Sequence, residues 1–149
     1  MADVPRAAKW MGLAGLIPFI GLALAVATGA GPAASSLLAG YAAVILSFMG
    51  GCRWGFAAAG LGRHCDEQEW LRYAIAVMPA LYAWPVLAMA DPLRPALMAL
   101  GFLALLGADV VLTRQGGAPT WWPSLRWPLS LGAAASLGLA ALAGEAGGA

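Results

Sequence analysis

The chain has 149 residues, of which 62% are hydrophobic and 10% charged; its net charge is +1 and its mean hydropathy +0.79. Soluble domains carry about a quarter charged residues, and eight Lys and Arg against seven Asp and Glu form no basic patch able to track phosphates. A soluble fold and a nucleic-acid-binding role are thereby excluded, and two cysteines make no disulfide framework.

A hydrocarbon core about 30 Å thick needs about 20 helical residues. Five segments meet that need, at residues 9–28, 34–59, 72–90, 94–112 and 125–144. No linker or shift of composition divides them. The expected fold is therefore all-α, a single domain over residues 1–149 built as a bundle of five transmembrane helices.

The first segment follows Arg6 and Lys9 and holds no charge from residue 10 to residue 28. Its apolar run is longer than that of a cleaved signal peptide and contains Pro18, so it reads as a permanent helix with a kink. The second is uncharged until Arg53 and carries small residues every fourth position: Ala43, Ser47, Gly51, Gly55 and Ala59. Such ridges let helix backbones approach closely, within the bundle or between molecules. The loop that follows groups Arg63, His64, Cys65, Asp66, Glu67 and Glu69. One His and one Cys fall short of a tetrahedral ligand set, so neither a metal nor another cofactor is expected.

Pro79 and Pro85 interrupt the third segment. Broken helices form substrate sites in transporters built from repeats, but no repeat relates the halves here, and the kinks read as structural. The fourth segment contains Asp109. The fifth begins with Trp121, Trp122 and Arg126 and continues into a second small-residue ridge, Gly132, Ser136, Ala140 and Gly144.

Arg53 and Asp109 are the ionisable residues inside predicted spans. A charge at the centre of a transmembrane helix costs about 2.5–3.5 kcal/mol on insertion scales, so each needs a partner or a wet cavity. Both lie shortly before the same end of their helices, and an Arg53–Asp109 pair joining the second and fourth spans is expected. It serves either to pin register or to line a polar pocket. Trp54 beside Arg53, and Trp121, Trp122 and Arg126 at the start of the last span, are the candidate ligand or lipid contacts. For the tryptophans, an interfacial anchoring belt is the competing reading.

Arg6, Lys9, Arg63, Arg72, Arg114 and Arg126 fall on one side of the expected bundle and Arg94 alone on the other. The positive-inside rule puts the N-terminus in the cytoplasm and the C-terminus outside, in the periplasm. No nucleophile–base pair, phosphate loop, dinucleotide fingerprint or zinc-protease helix is present, and an enzymatic role is not expected.

Residues 41–55, YAAVILSFMGGCRWG, resemble the second-helix signature of the domain of unknown function 3429 family, and residues 119–130, PTWWPSLRWPLS, resemble its motif at the start of the last helix. Gly107-Ala-Asp109 fits the same pattern, and the resemblance covers nearly the whole chain. The resemblance leads one to expect His as readily as Arg at position 53, and the Arg found there argues against a metal or haem site built on a histidine. The resemblance implies a multi-pass protein of the bacterial inner membrane. With the short loops and packing ridges, the function expected is an accessory, stabilising or assembly subunit of a larger, respiratory or otherwise energy-transducing membrane complex. The partners expected are lipid and other membrane subunits or a second copy. The alternatives are a small transporter or channel, or a lipid or quinone binder using Arg53 and Asp109.

Overall fold

The computed structural model describes residues 3–62 and 69–146. They form six helices and no strand: α1 (Arg6–Ala14), α2 (Leu16–Ala27), α3 (Pro32–Ala58), α4 (Glu69–Val86), α5 (Leu93–Arg114) and α6 (Trp122–Ala146). The first predicted span is thus two helices meeting at Gly15. Pro18 lacks the N–H that would bond four residues back, so the helix breaks one turn upstream of it. The break leaves the Gly15 carbonyl in reach of α3, and the Tyr41 hydroxyl donates to it at 2.9 Å.

Four stretches among the described residues are long and apolar enough to cross a bilayer: Arg6–Ala27, Pro32–Ala58, Leu93–Arg114 and Trp122–Gly144. The five-span expectation meets a difference at α4. This helix has 18 residues, carries Glu69 and Arg72 in its first turn, and contains Pro79 and Pro85. At 1.5 Å per residue it is about 27 Å long, part of it polar. It ends at Val86 rather than near residue 90. Pro85 cannot donate, and the amides of Ala88 and Met89 turn to the carbonyls three residues back, at 3.1 and 3.0 Å.

The helices close into a ring in chain order. α2 packs on α3, α3 on α4, α4 on α5, α5 on α6, and α6 returns to α2; α3 also reaches across to α5 and α6. Phe19, Leu38, Leu46, Met98, Phe102 and Leu137 fill the middle. Phe19 stands edge-on to both Tyr41 and Phe102, with ring centroids 4.9 and 5.5 Å away. α3 is the central strut: half of its most apolar window is buried, against 11% for the α1–α2 rod.

The second-span ridge is a correction in register. Ser47, Gly51 and Gly55 face outward, and nothing lies within 4 Å of where a Cβ would stand on either glycine. A strict four-residue spacing advances about 40° round an α-helix at each step, so it leaves any one interface after two or three steps. The stripe that is buried alternates threes and fours: Ala39, Ala42, Ala43, Leu46, Met49, Gly50 and Arg53. The close approach runs through Gly50, where a Cβ would strike the Ala76 carbonyl of α4. On α6 the ridge does face a neighbour: Leu16 of α2 lies 3.0 Å from the Cβ position of Gly132, and the Ser136 hydroxyl folds back onto the Gly132 carbonyl at 2.9 Å.

The adjacent glycines should therefore behave oppositely. Gly50→Ala overpacks the α3–α4 seam and should destabilise by about 1–3 kcal/mol. Gly51→Ala meets open space and should be neutral or stabilising by up to about 1 kcal/mol through helix propensity. Thermal unfolding of the two variants in the same detergent checks the contrast; equal losses would contradict this packing.

Candidate functional site: a buried Arg–Asp–Arg cluster

Arg53 lies five residues before the end of α3 at Ala58, and Asp109 five before the end of α5 at Arg114. Both helices finish at the same side of the bundle, so the two residues sit at one depth, about 7.5 Å inside the helix ends. Arg53 Nη1 donates to Asp109 Oδ1 at 2.6 Å. The other carboxylate oxygen is taken by α6, whose Arg126 Nε donates to Oδ2 at 2.8 Å. One carboxylate thus bridges two guanidiniums and ties three helices together. All three residues are buried, with 8%, 1% and 1% of Arg53, Asp109 and Arg126 exposed.

Arg126 is the residue that sequence reasoning placed differently. It reads there as a boundary charge and ligand contact, whereas it is the second partner of Asp109. It lies one turn into α6, deep enough for its guanidinium to enter the ring. Its Nη1 donates to Met49 Sδ of α3 at 2.8 Å, and its Cζ stands 5.9 Å from the Trp122 ring centroid. The available signal was electrostatic: one aspartate among the spans can serve a second arginine through its other oxygen. Thr113, one turn along α5, donates its hydroxyl to the Asp109 backbone carbonyl at 2.9 Å.

The candidate tryptophans separate. Trp122 is buried, edge-on to Phe56 of α3 at 4.9 Å, and so belongs to the core rather than to an anchoring belt. Trp121 is half-buried and packs edge-on to Trp122 at 5.9 Å. Trp54 points away from the cluster, 48% exposed, with its ring 4.6 Å from that of Tyr73 on α4. Trp10, Trp70 and Trp127 are well exposed, as a belt requires. Arg72 secures the same end of the bundle by donating to the Leu61 carbonyl. At the other end Arg94 pairs with Asp91 at 3.0 Å.

Two apolar cavities flank the cluster. One of about 350 Å³ lies between α1–α2, α3 and α6 and is bounded by Cys52 and Arg126. The other, of about 310 Å³, lies between α3, α4 and α5 and is bounded by Arg53. The described residues contain no group of three or more His, Cys, Asp or Glu placed to hold a metal. His64 and Cys65 lie outside the described residues.

Long apolar helices closed on one another around an ionic cluster define an integral, multi-pass helical membrane protein. The chain belongs to the family described as protein of unknown function DUF3429, which it matches over residues 4–142. It is 36% identical over 141 residues to transmembrane protein 69 of Xenopus tropicalis, covering 92% of this chain and 54% of that protein. With transmembrane protein 69 of Mus musculus the identity is 26% over 132 residues, covering 85% and 51% respectively. The chain spans about half the length of these relatives. No solved structure matches it.

Charge counting orders the effects of mutation. Asp109→Asn leaves two buried guanidiniums with no counter-charge and should cost about 3–5 kcal/mol. Arg53→Leu leaves a neutral Arg126–Asp109 pair and should cost distinctly less. Unfolding midpoints of both variants in detergent test the order, and an Arg53→Leu loss as large as that of Asp109→Asn would refute the bridging role.

Proposed function

We propose that this chain is a non-enzymatic accessory, stabilising or assembly subunit of a larger membrane complex, in the bacterial inner membrane. The outward face of α3 carries the reading. Gly40, Gly51 and Gly55 look into open space there, interleaved with the exposed Leu37, Val44 and Phe48. Against lipid alone, each glycine costs helix propensity of about 1 kcal/mol relative to alanine and returns no contact. Against a second transmembrane helix, the same residues form a shallow groove in which backbones approach. α3 is also the strut on which the other helices rest, so a partner docked there would bear on the whole bundle.

In this reading α4 completes a five-span topology, with the N-terminus cytoplasmic and the C-terminus periplasmic. The positive-inside bias supports it. Arg6, Lys9, Arg72 and Arg114 stand at the end of the bundle that holds the cluster, and Arg94 at the other. The respiratory or other energy-transducing character of the complex follows from the resemblance alone. A ligand-binding alternative has its own support, the cavity beside Arg126.

Gly51→Leu with Gly55→Leu fills the groove without touching this chain's other helices. Mild extraction from the native membrane and native mass spectrometry should give the wild-type chain with a different membrane protein at fixed stoichiometry. The double variant should come out alone, with unchanged helix content. A wild-type chain recovered as a bare monomer or only as a homodimer would sink the subunit role.

A further inference from the structure

The Arg53–Asp109–Arg126 cluster is not neutral: two guanidiniums and one carboxylate leave a charge of +1, with Arg53 also bounding a more polar cavity of about 700 Å³ beside Arg72 and Gln115 and Arg126 facing the apolar side. The excess is not spread evenly. Arg53 and Asp109 are matched, whereas Arg126 spends Nε on Asp109 and Nη1 on a thioether, a weak acceptor. Its Nη2 is buried with no hydrogen-bond partner, and one turn earlier the Trp122 indole Nε1 is buried and unpartnered as well. Arg126 and Trp122 both line the cavity of about 350 Å³ between α1–α2, α3 and α6. The two residues that carry these donors and the surplus positive charge thus form part of the wall of a space otherwise lined by apolar residues, Leu16, Phe19, Ile45 and Leu129 among them, with the donor atoms themselves just beneath its surface.

The cavity also has a way in. Met11 of α1 and Phe48 of α3 line it and are 75% and 60% exposed on the outer surface of the bundle. Its mouth therefore reaches the outer surface of the bundle between α1 and α3. Pockets of about 300–1,000 Å³ with apolar walls and a few convergent polar groups are the usual form of a small-molecule site. A neutral occupant would leave the charge uncompensated. A water molecule would satisfy the donors but leave the apolar walls empty. An anionic oxygen on a hydrocarbon chain answers both requirements.

The geometry points to a binding site for an anionic acyl-chain amphiphile, its charged oxygen held by Arg126 Nη2 and Trp122 Nε1 and its chain threaded between α1 and α3. The oxygen belongs to a fatty carboxylate or to a phospholipid phosphate, which share this chemistry. The site borders the outward face of α3, with Phe48 common to both, and its charged end lies deeper, at Trp122 and Arg126 of α6.

The test uses the 149-residue chain in phosphatidylcholine nanodiscs and a photoreactive diazirine palmitate, with labelled peptides located by mass spectrometry. Labelling should saturate and map to α1 and the first turns of α6. Palmitate or phosphatidylglycerol should compete about tenfold or more better than methyl palmitate, which keeps the chain and lacks the charge. Preference between palmitate and phosphatidylglycerol assigns the source of the oxygen. Cys52→Phe fills the cavity while keeping the three ionic partners and should abolish the saturable labelling. Arg126→Gln should weaken competition by palmitate about tenfold; should it fail to fold, the ester comparison and Cys52→Phe decide. Equal competition by methyl palmitate, or undiminished labelling in Cys52→Phe, overturns the assignment.

Discussion

The bundle depends on Asp109. Each of its oxygens takes a guanidinium from a different helix, so one side chain holds the mutual positions of α3, α5 and α6. Three isolated charges left in hydrocarbon would cost several kcal/mol on insertion scales, more the deeper they lie. That is a large share of the net stability of an ordinary domain. The apolar contacts, numerous as they are, would also be available between helices that had slid along one another, because lipid removes most of the hydrophobic distinction between alternatives. A directional ionic bridge does not tolerate such sliding.

Much of the fold is legible in the sequence, because apolar run length is decided by the thickness of the bilayer rather than by tertiary detail. The predicted segments fall within a few residues of the observed helices. The misplacements occur where local chemistry overrides the run. Pro18 divides the first rod at Gly15, and Pro85 ends α4 early. The depth of Arg53 and of Asp109 can be counted from the ends of their spans. The place of Arg126 cannot, since the distinction between a charge at an interface and one turned into the ring rests on the rotation of α6. The four-residue glycine ridge of α3 illustrates the same limit, as spacing identifies a smooth face but not what that face meets.

α3 is therefore a helix with two kinds of neighbour. Its inward stripe is spent on the chain's own helices, with Gly50 tight against α4 and Met49 and Arg53 drawn to the cluster. Its outward stripe keeps small residues that the chain itself does not use. The cluster, meanwhile, stands as a partition between two apolar cavities, one bounded by Arg126 and the other by Arg53. Buried charge among the described residues is concentrated at this level, where it fixes register.

The order in which the chain is made bears on where that level lies. Arg53 precedes Asp109 by 56 residues, so at about 5–20 residues per second it waits some 3–11 s for its counter-charge. At mid-membrane, that interval would leave a bare cation in hydrocarbon. A position about five residues from the end of α3 lets the long side chain reach up to headgroups meanwhile. Asp109 can then draw it inward, and Arg126 follows 17 residues later to close the ring. The shallow placement of the cluster thus suits a chain inserted in sequence order as well as the finished fold.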